Sequence, residues 1–284
     1  MLKLNVVTVV RNDEMGLRRT LKSLLSLAKK AVGTGFVLNI HIQDGQSVDA
    51  TALVFGEYKD KFSDLGSLVS FVSVADVSLF DAMNKASQSF QPESLVLYLN
   101  AGDVIADSIA FSELSEALEF FSQSDSKMAA FRSINIWRDT HYYMPPLSCS
   151  DTTTFRKWIR SNTPVHQAII FKTDPIFPIH YVLEFEVQAD TLLIYYLIKH
   201  QGPPLFYNLT LCEFELGGLS NTYISFNKVL VQIKEQGIIA KLRGESVWIS
   251  KARTFTLIAK YCLHKFLGSS FYSLHAKINS IIRN

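Results

Sequence analysis

Leu95-Val96-Leu97-Tyr98-Leu99-Asn100-Ala101-Gly102-Asp103 is an apolar run that stops abruptly at a polar turn. A short, continuously apolar segment bounded by turn formers reads as a strand buried on both faces. The same design recurs upstream. Leu4–Val10 is a β-branched run followed by Arg11-Asn12-Asp13-Glu14. Phe36–Gln43 is followed by Asp44-Gly45-Gln46-Ser47-Val48-Asp49. Val69–Val74 is followed by Asp76 and, a little further on, Asp81, Asn84 and Lys85. Between these strands the spacing turns helical: Gly16–Lys30, with Leu17, Leu21, Leu24, Leu25 and Ala28 on one face, then Thr51–Tyr58 and Leu79–Phe90. Strands alternating with helices imply βαβ units and a mainly parallel sheet.

Past Ile105 the pattern loosens. Helices are expected over Ile109–Ser122, Gln188–Lys199, Asn221–Leu242 and much of 246–282, and strands over Met128–Ile136, Ala168–Phe171 and Leu205–Leu211. Residues 138–165, rich in Pro, Ser and Thr, read as loop with short pieces of structure.

The chain of 284 residues is 48% hydrophobic and 19% charged, enough for a sizeable core and too apolar for a disordered chain. Its net charge of +2 is unevenly placed. From Ser246 onward there are six basic residues and no acidic one, which leaves 22 basic against 26 acidic in the first 245. A mildly acidic body does not suggest a nucleic-acid-binding domain, whose footprint is a basic face, and the basic tail points to an anionic surface. Cys149, Cys212 and Cys262 have neither metal-ligand nor redox spacing. No cleavable leader is read at the N-terminus and no apolar run reaches the ~18 residues that span a bilayer, so a cytoplasmic protein, soluble or membrane-bound at its surface, is expected.

In open parallel sheets, ligands sit outside the carboxyl ends of the strands. The four polar clusters therefore share one edge, where carboxylates and amides suit a cation, a base or ribose, and phosphates. No G-x-x-x-x-G-K-[ST] loop and no G-x-G-x-x-G follows the first strand, so backbone alone does not cradle a phosphate here. A hard cation such as Mg2+ or Mn2+, shared between carboxylate and diphosphate, is the natural substitute.

Several segments, in this order, resemble the family 2 glycosyltransferases of the GT-A fold, especially bacterial enzymes of colanic-acid and exopolysaccharide assembly. They are Thr8-Val9-Val10-Arg11-Asn12, the D-G-G-S-x-D-G-T-like Asp44–Thr51 with two glycines replaced, Leu79-Phe80-Asp81-Ala82-Met83-Asn84-Lys85, and Leu97–Asp103. Pro164-Val165-His166-Gln167, Ala189-Asp190-Thr191-Leu192-Leu193 and Phe214–Ser220 with Gly217-Gly218 follow. The resemblance covers roughly residues 1–220. It implies an α/β GT-A (nucleotide-diphospho-sugar transferase) domain with a mainly parallel mixed sheet flanked by helices. A nucleotide-binding half (1–105) and an acceptor half (106–220) would precede a helical, basic C-terminal extension (221–284).

The resemblance implies roles as well. Asp103 is the expected metal ligand for Mn2+ or Mg2+. Asp44 accepts a base N–H, and Thr8, Val10, Arg11, Asn12 and Ser47 line the nucleotide pocket. Asp81, Asn84 and Lys85, at i, i+3 and i+4, face the ribose, donor sugar and phosphates. Asn100, Ala101 and Gly102 complete the donor site; Asn100 stands where many relatives have an acid. His166 and Gln167 contact diphosphate or acceptor. Asp190 is the expected general base at a helix start, with Glu186 next in line. The implied activity is transfer, with inversion, from a UDP- or GDP-sugar to a hydroxyl of a lipid-linked saccharide in polysaccharide biosynthesis. An anionic membrane contact is expected through residues 246–284, where lysines are interleaved with aromatic residues. Two alternatives stay open: a non-catalytic nucleotide-sugar-binding scaffold, and a sugar-phosphate nucleotidyltransferase.

Overall fold

The computed structural model describes residues 2–137, 140–144, 165–215, 225–268 and 270–271. Gly217-Gly218, Cys149, Lys277, Arg283 and the first residues of the helix expected from Asn221 lie outside them.

Four parallel strands open the chain: β1 (Leu2–Val10), β2 (Phe36–Asp44), β3 (Val69–Ser73) and β4 (Leu95–Tyr98). Between them run α1 (Glu14–Ala31), α2 (Thr51–Ser63) and α3 (Leu79–Ser87). β5 (Val104–Ile105), α4 (Phe111–Gln123), β6 (Met128–Trp137) and β7 (Thr140–Met144) follow, then a 3-10 turn at His166–Ala168, β8 (Ile169–Lys172), α5 (Ala189–Gln201) and β9 (Leu205–Glu215). Two helices close the described chain: α6 (Phe226–Leu242) and α7 (Val247–Leu267).

One nine-stranded sheet takes the order β3-β2-β1-β4-β8-β6-β9-β5, with β7 beside β6. β1 lies between β2 and β4, parallel to both, and β8 runs antiparallel between β4 and β6. The chain leaves β1 toward β2 and β3 and returns to β4 on the other side. That reversal makes the gap beyond β1 and β4 the topological switch point, where such sheets open a crevice.

β1 explains why this arrangement is stable. Leu4, Val6 and Val10 pack with α1, α2 and α4, while Val7 and Val9 pack with α3 and α5 on the opposite face. Both faces need apolar side chains, which is why the run does not alternate. α1 buries Leu17, Leu21, Leu24 and Leu27; each contributes about 1.5–3 kcal/mol. Its start is fixed by Asp13, whose side chain accepts the Gly16 N–H at 2.9 Å.

α2 continues to Ser63, past the expected Tyr58, because Phe62 buries one turn further on. β5 was not expected: two residues are too few to show a period. β7 lies within the stretch expected to be largely loop, and pairs antiparallel to β6 from Ser133↔Met144 to Trp137↔Thr140.

α3 is bolted to the second half of the domain by Asn84. Its Nδ2 donates to the Tyr181 carbonyl (2.8 Å) and its Oδ1 accepts the Tyr181 N–H (2.7 Å), both buried. Tyr181 stacks on Phe80 and meets Tyr98 edge-on, with centroids at 5.3 and 5.7 Å. Asn84→Ala should leave two buried backbone groups unpaired and lower unfolding free energy by about 2–4 kcal/mol. Urea denaturation checks this; a change under about 0.5 kcal/mol would contradict the assigned role.

Candidate active site

The loops after β1 and β2 are stitched to each other. The Asn12 N–H donates to Ser47 Oγ (2.7 Å), and Asn12 Oδ1 accepts the Val48 N–H (2.8 Å). The Glu14 N–H donates to Asp49 and the Ala50 N–H to Glu14, at 3.0 and 2.7 Å. Asn12 and Gln46 both adopt left-handed backbone, φ 50° and 58°. Asn tolerates that region; Gln, standing where the resembled motif has glycine, is held there at a cost of order 1 kcal/mol or more.

Asp44 is buried and accepts the Ser47 N–H (3.1 Å) and the Ser73 hydroxyl (2.5 Å). A carboxylate has roughly four acceptor sites, so capacity for a further donor remains. A Cβ at Gly45 would lie 2.3 Å from Asp76 Oδ2 and would push that carboxylate aside, so glycine keeps Asp76 where it is. Burial pushes the Asp76 carboxyl above its ordinary range, opposed by the charges of Arg11 and Lys85. Lys85 Nζ reaches Asp81 Oδ2 and the Ala75 carbonyl, each at 2.7 Å, and this bond holds the Asp81 carboxyl below the usual range. Arg11, Asp44, Asp76, Asp81 and Lys85 thus form one charged group at the ends of β1–β3. Asn84 does not join them. The helical spacing that grouped it with Asp81 and Lys85 holds for that ion pair only, since Asn84 points into the core.

The other side of β1 carries the second group. β4 stays paired with β1 past its end, through Leu99 N–H to the Val7 carbonyl (2.9 Å) and Ala101 N–H to the Val9 carbonyl (3.1 Å). The turn that follows is clamped by Thr20 of α1. Its hydroxyl accepts the Gly102 N–H (3.0 Å) and lies 2.7 Å from the Asp103 carbonyl. Gly102 has φ 96°, a conformation that favours glycine, and the Arg19 guanidinium lies beside it. The Val10 carbonyl accepts the Gly45 N–H, so that backbone oxygen serves the β1–β2 junction.

Burial pushes the Asp103 carboxyl up to about 6, against the pull of His166 and the Gln167 amide. Gln167 Nε2 lies 3.3 Å from Asp103 Oδ2. The neighbouring residue, His166, places Nδ1 3.3 Å from Asp190 Oδ2. Two adjacent residues of the 3-10 turn therefore bridge two carboxylates that are far apart in sequence. Asp190 sits in the first turn of α5, with its Oδ1 on the Thr191 N–H (2.6 Å).

Thr20, Arg19 and Ser73 contribute to these groups without having stood out in the sequence. Thr20 and Arg19 lie mid-helix, where only the folded contact distinguishes them.

Among the described residues no group of three or more His, Cys, Asp or Glu side chains could hold a metal by itself. The donors at Asp103 are nevertheless of the right chemistry. Beside its carboxylate, the buried Asn100 Oδ1, Gln167 Oε1 and His166 Nε2 have no hydrogen-bond partner among the described residues, nor has Thr8 Oγ1. One carboxylate with amide oxygens fits a hard cation that takes its remaining ligands from a phosphate and water.

No family model and no curated protein matches the chain in sequence. Solved structures do match it in shape. TarS 1–349 of S. aureus, solved with UDP, is 15% identical with TM-score 0.57, over 93% of this chain and 72% of that one. The mannosyltransferase PcManGT of Pyrobaculum calidifontis, solved with GDP-Man and Mn2+, is 12% identical with TM-score 0.59, over 99% and 80%. Mannosyl-3-phosphoglycerate synthase of Rubrobacter xylanophilus is 16% identical with TM-score 0.50, over 83% and 75%. The chain has the GT-A glycosyltransferase fold.

The raised Asp103 carboxyl has a consequence for stability. Folding favours its protonated form, since aspartate in an unfolded chain titrates near ~3.9. Its contribution is full below about pH 4 and is lost as pH rises through about 6. The melting temperature of Asp103→Asn relative to the unaltered protein should therefore climb between pH 4 and 7, with no ligand added. A difference constant across that range would contradict the raised carboxyl.

Proposed function

We propose that the protein transfers a sugar from a UDP- or GDP-sugar to a saccharide hydroxyl. The observation that carries this reading is the bridge from Asp103 through Gln167 and His166 to Asp190, at the switch point of a GT-A sheet. It links a carboxylate at the end of β4 to a second carboxylate at the start of α5 through two adjacent side chains, and a displacement at an anomeric carbon needs two such groups. The residue motifs that resemble those of the colanic-acid and exopolysaccharide enzymes, together with TarS and PcManGT having been solved with UDP and GDP-Man, favour a nucleotide-sugar donor.

In this reading Asp44, with Ser47 and Ser73 fixing its carboxylate, accepts a base N–H. Arg11 and Lys85 face the diphosphate, and Asp81 orients Lys85. Asp103, aided by Asn100, would hold Mn2+ or Mg2+, which supplies positive charge to the departing diphosphate. Asp190 takes the proton of the acceptor hydroxyl as its oxygen bonds to the anomeric carbon and the bond to the nucleoside diphosphate breaks. His166 holds Asp190 in place from its Nδ1 side. Attack opposite the leaving group inverts the anomeric centre. We take 1–220 as the catalytic domain, with its donor half in 1–105 and its acceptor half in 106–220, and 221–284 as an extension whose first helix, α6, packs on it. A non-catalytic nucleotide-sugar binder is the second reading, favoured by an amide at Asn100 and by the strained Gln46.

We place the acceptor on a lipid at the cytoplasmic face of a membrane. No described helix is long and apolar enough to cross one. α7, however, exposes Trp248 (78%), Phe255 (75%) and Phe266 (90%), at helical steps of seven and eleven that keep them on one face. Leu257 is its buried residue, and Lys251, Lys260 and Lys265 accompany the stripe with no acidic residue between 246 and 267. Apolar area flanked by lysines is the pattern of a helix lying in an anionic interface.

Two tests follow. In a melting screen with Mn2+ and UDP- or GDP-sugars, a true donor raises the midpoint. With that donor and its acceptor, Asp103→Ala should abolish metal-dependent turnover, and Asp190→Asn should keep donor binding while transfer falls at least ~100-fold. Full transfer by both variants would overturn the roles; donor binding without transfer by the unaltered chain would favour the second reading. Replacing Trp248, Phe255 and Phe266 together with Ser should cut co-sedimentation with phosphatidylglycerol-containing vesicles at least ~10-fold. Unchanged binding would remove α7 from the membrane contact.

A further inference from the structure

α5 begins without a side-chain cap of its own. The three backbone N–H groups immediately before it, those of Glu186, Val187 and Gln188, are taken instead by one carboxylate from α6. Glu235 Oε1 accepts the Glu186 N–H at 2.6 Å, and Oε2 accepts those of Val187 and Gln188 at 3.2 and 2.8 Å. Glu235 is buried, and burial pushes its carboxyl above the ordinary range in spite of these bonds. Backbone donors converging at the positive end of a helix make an anion cradle, and here the anion belongs to the chain itself. α6 is fastened to α5 elsewhere too. Ile239 joins the core beneath α5, the Tyr195 hydroxyl donates to the Leu242 carbonyl (2.7 Å), and the Arg243 guanidinium lies 5.3 Å from the Tyr195 ring centroid.

Asp190 comes two residues after Gln188. We infer that Glu235 is a positioning residue: by holding residues 186–188 it fixes the start of α5, so that Asp190 meets His166 in the geometry needed to receive the acceptor proton. The inference rests on reading Asp190 as the general base. It gives the first helix of the C-terminal extension a part in the acceptor side of the site. A carboxylate suits this duty because both oxygens accept, whereas a Gln in its place would turn an N–H toward one of the donors.

Glu235→Ala removes three hydrogen bonds and lowers the melting temperature whatever Glu235 does, so that loss alone tests nothing. The discriminating quantity is the coupling between His166 and Asp190. In the full chain, His166→Ala, Asp190→Asn and the double variant give a thermal double-mutant cycle. A non-additivity of roughly 2–4 °C is expected for a pair in contact. In the Glu235→Ala background it should vanish within error, and in Glu235→Gln, which keeps one accepting oxygen, it should fall to about half. A purely stabilising Glu235 shifts every corner of the cycle equally and leaves the coupling intact. Undiminished coupling in either background overturns the inference, as does no coupling in the unaltered chain; if Glu235→Ala does not fold, Glu235→Gln decides. Failure of the glycosyl-transfer reading shows elsewhere, as the absence of any melting shift with Mn2+ and UDP- or GDP-sugars.

Discussion

The parallel pairing of β1 with β2 on one side and β4 on the other constrains everything else in the molecule. Parallel strands deliver their following loops to the same edge, so Arg11–Asn12, Asp44–Ser47 and Asn100–Asp103 have to meet there. The pairing persists because β1 is apolar on both faces and helices cover both. Each of those loops then begins at a fixed height above the sheet, and a side chain one residue beyond the strand has little freedom in where it goes.

An edge rich in carboxylates is costly to fold, and the structure shows how the cost is contained. Asp44 and Asp81 are held by hydroxyl, amide and ammonium donors, and the buried Asp44 keeps capacity for one donor more. At Asp103 desolvation outweighs the pull of His166 and the Gln167 amide, and the proton affinity rises. Strain is stored nearby: Gln46 is held in a left-handed conformation that glycine would adopt freely. Asn100 and Gln167, on the Asp103 turn and beside it, each keep a buried amide oxygen without a partner among the described residues. Residual polar capacity, a raised carboxyl and backbone strain all lie in the loops at the carboxyl edge of the parallel strands, whereas the core beneath α1 and α4 is apolar.

The second half of the chain adds the partner groups. The turn His166–Ala168 lies where β8 enters the sheet beside β4, which sets His166 and Gln167 against the Asp103 turn. α5 brings Asp190 to the same turn, and α6 fixes α5 through Glu235. The extension thus has two faces of different character. α6 is tied to α5 by the hydrogen bonds of Glu235 and by Ile239, while α7 buries little and shows aromatic side chains among lysines.

Sequence alone determined the order of strands and helices as far as β4, and the edge on which the polar clusters lie. Both follow from local periodicity and from the geometry of a parallel sheet, so the grouping of Asp44 with Asp81 was legible before any coordinates. Tertiary structure decided the rest. Helical spacing could not tell that Asn84 turns inward while Asp81 and Lys85 turn out, because position on a helix says nothing about which neighbour arrives to be bonded; here it is Tyr181, 97 residues away. The clamp of Thr20 on the Asp103 turn and the grip of Glu235 on residues 186–188 are likewise contacts between distant segments, and they leave no trace in local patterning. Hydrophobic period reports what a residue faces on average, whereas a hydrogen bond depends on the single group that packing brings within three ångströms or so.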